Sequence, residues 1–261
     1  MKKRTISAVF LMLLLIGSFI INSKLFCVLM LMLSLIGFKE FFDIKYKDNN
    51  KKIRLIKYLG MFSLGLIIIN NFLWKIDILV FILLTLLILA LPIVINSKID
   101  KYNINDYFYV VGIVFLLGLG FGNICDLAVM KKELCIFIFL MAFMTDTYAY
   151  IGGSLIGRHK FSVISQNKTI EGILCGSIMG TIIGVTYYYN IVGNLTIIET
   201  VILCLGLTIL SEIGDLIFSS IKRVFEKKDF SNLIPGHGGV LDRFDSVLFV
   251  SLGLMLLLRI I

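Results

Sequence analysis

The sequence predicts an all-α fold, a polytopic transmembrane helical bundle of about nine spans. Of its 261 residues, 59% are hydrophobic and 16% charged, against about 45–50% and about 25% in an ordinary soluble domain. The apolar residues fall in blocks of about 20, the length a helix needs to cross roughly 30 Å of hydrocarbon. Only two prolines, Pro92 and Pro235, punctuate the chain.

In order, the candidate helices are 5–21, 25–42, 58–73, 76–95, 107–122, 134–151, 170–189, 196–218 and 241–260. Lys2, Lys3 and Arg4 ahead of the first apolar run resemble the start of a signal peptide. Ile20-Ile21-Asn22-Ser23 offers no small-x-small cleavage site, so the run reads as a retained span. The third block is short and the eighth is able to continue past the membrane to Arg223, which leaves eight or ten spans open. The segment 39–57 (KEFFDIKYKDNNKKIRLIK) is the only long polar stretch before residue 96. It reads as a basic loop attracted to anionic lipid headgroups. By content the chain divides into N-terminal transmembrane helices, 1–133, and a C-terminal transmembrane region, 134–261, that holds the residues with chemistry to offer.

Orientation follows from the basic residues, which concentrate in cytoplasmic loops. With the N-terminus inside, only Lys24, Lys75, Lys131, Lys132 and Arg259 of the 25 lysines and arginines fall outside. Both long loops of the C-terminal region, 152–169 and 219–240, then face the cytoplasm. The net charge of +8 is accounted for by these topology-setting positions, which argues against nucleic acid as a partner. Cys27, Cys125, Cys135, Cys175 and Cys204 are widely spaced, with no CxxC pair to hold a metal. They read as small apolar packing residues.

Carboxylates inside spans are costly and usually mark a cavity or a functional interior. Here they come late: Asp146 in the sixth block, Glu212 and Asp215 in the eighth, Asp242 and Asp245 at the start of the ninth. On a helix, Glu212, Asp215, Ser219, Lys222 and Arg223 share one stripe, with acids deep and cations towards the cytoplasm. Asp242 and Asp245 form an i, i+3 pair on a second helix. Two such faces together make a hard-oxygen site for Mg²⁺ or another divalent cation, which takes one or two carboxylates, water and phosphate oxygens. The competing readings are ion pairs that hold helices together and the ion-coupling sites of a transporter. Between the two helices runs KKDFSNLIPGHGG, whose glycines let backbone N–H groups approach phosphate oxygens. By itself it is equally a tight turn.

Read as one string, these positions are Ser219-x-Ile221-Lys222-Arg223, Lys228-Asp229-x-Ser231, then Ile234-Pro235-Gly236-His237-Gly238-Gly239-Val240-x-Asp242-Arg243-Phe244-Asp245. The string closely resembles the signature of the CDP-diglyceride synthetase (phosphatidate cytidylyltransferase) family. Gly214-Asp215, Asp146-Thr147 with Ala149-Tyr150, Gly153, Gly157, and Ser165-Gln166-Asn167-Lys168-Thr169 with Glu171-Gly172 fit the same pattern. The resemblance covers roughly 140–246, with the signature at 219–245; earlier residues match only as generic spans. Three positions depart from it: Tyr148 stands where Gly is usual, Ser154 where a basic residue is common, and Gln166 where Pro is usual.

The resemblance implies a multi-pass enzyme of the cell (cytoplasmic or inner) membrane, its site facing the cytoplasm, that transfers CMP from CTP to phosphatidic acid. It implies Asp215, Lys222, Arg223, Asp242 and Asp245 as catalytic residues, with Asp215, Asp242 and Asp245 holding Mg²⁺. Asp146, Lys168, Ser219, Lys228, His237, Gly238, Gly239 and Arg243 would line the substrates. The bilayer, CTP and phosphatidic acid are the expected partners, and a homodimer is left open. The nearest rival is a CTP-using enzyme with another lipid acceptor, a polyprenol or isoprenoid-ether lipid.

Overall fold

The structure, a computed structural model, describes residues 2–46, 51–95, 102–161, 165, 168–233 and 238–260. Among these the chain forms nine α-helices: α1 Lys2–Ile21, α2 Ser23–Lys45, α3 Lys51–Ile69, α4 Ile78–Ile95, α5 Ile104–Met130, α6 Lys132–Ile156, α7 Ile170–Tyr187, α8 Ile197–Val224 and α9 Leu241–Ile260. Each apolar block read from the sequence is one helix. Six helical stretches, those of α2, α3, α5, α6, α7 and α8, are long and apolar enough to cross a membrane. Two shorter apolar runs, Met12–Ile21 and Ile78–Val94, lie in α1 and α4. α9 is as long as a span but carries Asp242, Arg243, Asp245 and Arg259. The chain is a polytopic helical membrane protein.

It folds as two compact units, Met1–Val129 with Asp229–Leu241, and Met130–Lys228 with Asp242–Ile261. In the first, α1 packs on α2, α2 on α3 and α3 on α4. Phe38, Phe41, Phe42, Leu64, Ile67, Leu117 and Phe121 are buried there, a core of large apolar side chains. The polar stretch 39–57 is more helical than the loop reading allowed: Lys39–Lys45 closes α2, and α3 begins at Lys51. Three of its charges, Asp43, Lys45 and Lys57, are paired within the unit. Lys57 pairs with Asp43 at 2.5 Å, and Asp106 accepts from Lys45 Nζ at 2.7 Å and from the Tyr46 hydroxyl at 2.6 Å.

In the second unit, α6 and α8 each pack on α7 and on one another. α6 and α7 come close enough that a Cβ at Gly176 would stand 2.7 Å from the Thr145 carbonyl, and one at Gly152 would stand 2.4 Å from Cys175 Cβ. Small residues at such a seam let two backbones approach, which is how helices associate in lipid. α8 starts on a capping box between Thr196 and Glu199, so Glu199 closes a helix end. α8 also extends beyond the apolar block to Val224, which puts Lys222 and Arg223 on the same rigid helix as Asp215.

Candidate active site

Within the second unit, α8 carries Glu212, Asp215, Ser219, Lys222 and Arg223, and the first turn of α9 carries Asp242, Arg243 and Asp245. Glu212 is buried, Asp215 and Ser219 are half-buried and Arg223 is exposed. Beyond Val224 the helix is stopped by Glu226 in the left-handed region, φ 53°. The N–H groups of Glu226 and Lys227 close back on the carbonyls of Arg223 and Lys222. That closure satisfies carbonyls a helix end leaves open. The exposed Arg223 guanidinium donates to the Lys227 carbonyl at 3.4 Å.

The α6–α7 connection delivers Lys168 to this helix. In its two arms Lys160 pairs with Thr169 in an antiparallel bridge, Phe161 N–H donates to the Lys168 carbonyl and Ile170 N–H to that of His159. Glu171 ties down its other arm by accepting from Arg158 N–H at 3.1 Å and from His159 N–H at 3.2 Å, and Thr169 caps α7. So held, Lys168 Nζ lies 2.6 Å from Glu212 Oε2 and 2.6 Å from Asp215 Oδ2. Burial alone would lower its pKa, but Asp215 and Glu212 outweigh burial and raise it above the usual lysine range. Lys168 is a fixed cation, unsuited to proton transfer at neutral pH.

A second pair sits along the stripe. Lys222 Nζ donates to Asp242 Oδ1 at 2.7 Å, with the two side chains 12% and 4% exposed. Asp245 accepts from the N–H of Ser246 at 2.9 Å and stands within electrostatic range of Asp215, Asp146 and Lys222. Ser246 Oγ donates to Asp146 at 3.4 Å, linking α9 to α6. Thus Asp146, Lys168, Glu212, Asp215, Lys222, Asp242 and Asp245, scattered through the sequence, converge in one unit. Arg243 is exposed on the first turn of α9, and Lys228 is exposed at the end of the stretch that follows α8.

Around Lys168 the acids exceed the cations, which is the donor chemistry of a divalent-ion site. Among the described residues no three His, Cys, Asp or Glu side chains are grouped to hold a metal by themselves. An ion here would rest on one or two carboxylates and complete its shell with water and phosphate oxygens, as Mg²⁺ does. Asp245 suits that role as it stands; the paired oxygens of Asp215 and Asp242 would first release Lys168 and Lys222.

The glycine signature belongs to the first unit. Gly238 adopts φ 81°, open to glycine at little cost. Gly239 faces the carboxylate of Glu40, where an added Cβ would stand 2.5 Å from Oε1. His237 and Gln166 lie outside the described residues.

The profile of the cytidylyltransferase family matches residues 2–261. The chain belongs to that family. It is 34% identical over 256 residues to a phosphatidate cytidylyltransferase of Staphylococcus haemolyticus, 96% of each chain being covered. It is 31% identical to one from Staphylococcus aureus and 30% to one from Staphylococcus saprophyticus, again over 96% of each chain. Two departures from the family signature fall on α6: Tyr148 is half-buried, and exposed Ser154 donates to the Ile151 carbonyl within its own helix. The sequence reading placed Glu212 on the α8 stripe without a role, and the structure makes it one of two acids on Lys168. It missed Glu40 altogether. The one signal was a carboxylate set between Lys39 and the apolar pair Phe41 and Phe42 near the end of an apolar helix.

Proposed function

We propose that this chain is a phosphatidate cytidylyltransferase, transferring CMP from CTP to phosphatidic acid to give CDP-diacylglycerol and pyrophosphate. The observation that carries this reading is the cluster on α8 and α9, in which buried carboxylates and lysines are paired along one stripe with no nucleophile–base pair among them. Such a stripe suits a reaction that needs positioning and charge stabilisation and no covalent intermediate.

A phosphate oxygen of phosphatidic acid attacks the α-phosphorus of CTP, the bond from that phosphorus to the bridging oxygen breaks, and pyrophosphate departs. Lys222, Arg223, Lys228 and Arg243 bind phosphate oxygens of the two substrates, the arginines through paired donors. Lys168 stays protonated, keeping the charge of Glu212 and Asp215 from repelling the triphosphate. Ser219, Asp146, His237, Gly238 and Gly239 line the substrates in this reading. Asp215, Asp242 and Asp245 would hold Mg²⁺, which when bound neutralises the triphosphate and the departing pyrophosphate. With the motif-bearing loops at the cytoplasmic face, CTP arrives from water and phosphatidic acid from the leaflet.

The test is purified protein in detergent with labelled CTP and a panel of acceptors: phosphatidic acid, a polyprenyl phosphate and an isoprenoid-ether phosphatidate. The expected product is CDP-diacylglycerol with pyrophosphate, identified by mass. Arg223→Ala should lower turnover on the order of 10²–10³-fold, as losing one preorganised charge-stabilising donor does. A CDP-product from another acceptor alone would reassign the substrate. No CDP-lipid at all, with ion or solute flux in liposomes, would return the chain to the transporter class.

A further inference from the structure

We infer that Glu40 is a positioning residue of the reaction: from α2 it holds Ser231 ahead of the glycine signature, and Val240 and Leu241 after it, in the arrangement that CTP turnover requires. The inference rests on the cytidylyltransferase reading above. Glu40 is 5% exposed, and a buried carboxylate is unfavourable unless its oxygens are well bonded. Here they are. Oε1 accepts from Ser231 Oγ at 2.6 Å and from Val240 N–H at 2.9 Å, and Oε2 accepts from Leu241 N–H at 2.9 Å. Two of those donors are consecutive main-chain groups where α9 begins, of the kind a helix N-terminus leaves open and an anion satisfies.

Three further contacts show that the face of α2 around Glu40 is shaped for this segment. Gly37, one turn earlier, receives the Leu241 side chain, and a Cβ there would stand 2.9 Å from Leu241 Cδ2. Phe41 meets Phe230 edge to face with ring centroids 4.9 Å apart. Gly239 lies so near the carboxylate that any side chain would strike it. One helical face thus grips Phe230 and Ser231 on one side and Gly239, Val240 and Leu241 on the other. Because Glu40 occupies the N–H groups of Val240 and Leu241, those two are not available to phosphate. The carboxylate aligns the signature and is not itself a catalytic residue.

The test compares wild type with Glu40→Ala, Glu40→Gln and Ser231→Ala, each as the full chain in detergent, by separate titrations of CTP and phosphatidic acid. Positioning predicts that KM for CTP rises, and kcat/KM for CTP falls with it, on the order of tenfold or more in Glu40→Ala, a typical loss for bonds to a charged group. KM for phosphatidic acid should move less than about twofold. Glu40→Gln, which keeps one acceptor oxygen, should lie between, and Ser231→Ala should shift the same parameter by less. A purely structural residue would instead lower kcat with both KM values unchanged, and that result overturns the proposal. If the Glu40 variants do not fold, Ser231→Ala alone decides by the same split. Hydrogen exchange of a peptide spanning residues 238–241 is the readout that needs no activity: faster exchange in Glu40→Ala supports the clamp and equal exchange refutes it. A wild type that makes no CDP-lipid sinks the functional reading, and exchange still judges the clamp.

Discussion

Lys222 on α8 and Asp242 on α9 are joined by a 2.7 Å ion pair that is almost closed to solvent, so the cationic end of the stripe is bound to the acid nearest the glycine signature. Breaking a buried pair from one side leaves a charge without a partner, at a typical cost of about 3–5 kcal/mol. Lys222→Met and Asp242→Asn should each lower the melting temperature. The double variant should recover most of the stability and none of the turnover, measured by thermal scanning with the CTP assay. Recovery of turnover as well would remove the pair from the chemistry.

Lys168 yields a prediction in pH. Its folded pKa lies above the ordinary lysine value of about 10.4. Its contribution to stability is therefore full below that value and is lost only as pH rises through the higher folded one. The melting difference between wild type and Lys168→Met should stay constant from neutral pH to roughly 10 and shrink above it. A difference that already shrinks between pH 7 and 9 would mean that Lys168 is not held by Glu212 and Asp215.

The metal prediction separates charge from shape. Asp215→Asn and Asp242→Asn keep volume and remove charge, so each should lose most turnover, on the order of 10²-fold or more, while the protein still elutes as folded material. Chelator should abolish wild-type activity and Mg²⁺ restore it. Wild-type-like activity of both variants across a Mg²⁺ titration rejects these carboxylates as ligands.

Topology is checked with reporters. One fused after Ile261 should lie outside the cytoplasm, and one inserted between Tyr46 and Lys51 should lie inside, given nine crossings and the charge bias. Both on one side would mean that an odd number of the seven helices between the reporters, α3 to α9, fails to cross, with α9, the most charged at its start, the first to examine.

All nine helices, the acids of α6, α8 and α9 and the signature string were legible in the sequence. Helix formation in lipid depends on apolar runs and on backbone bonds made within each segment, so the information is local. The stripe from Glu212 to Arg223 was legible for the same reason, since helical periodicity places it without reference to any neighbour. The stretch 39–57, whose charge predicts a loop, is helical over Lys39–Lys45 and from Lys51 onward. Lys45, Asp43 and Lys57 are instead neutralised by partners in the fold, which lets the helices continue.

What only the tertiary structure decided is which charge meets which. Lys168 finds Glu212 44 positions along the chain, Lys222 finds Asp242 across 20, and Glu40 finds Ser231 and Leu241 across 191 and 201. A carboxylate and a lysine look alike in sequence wherever they stand. Their pairing, and with it the difference between a topology charge and a site charge, is set by which helices pack together, a property of the whole chain that no local pattern encodes.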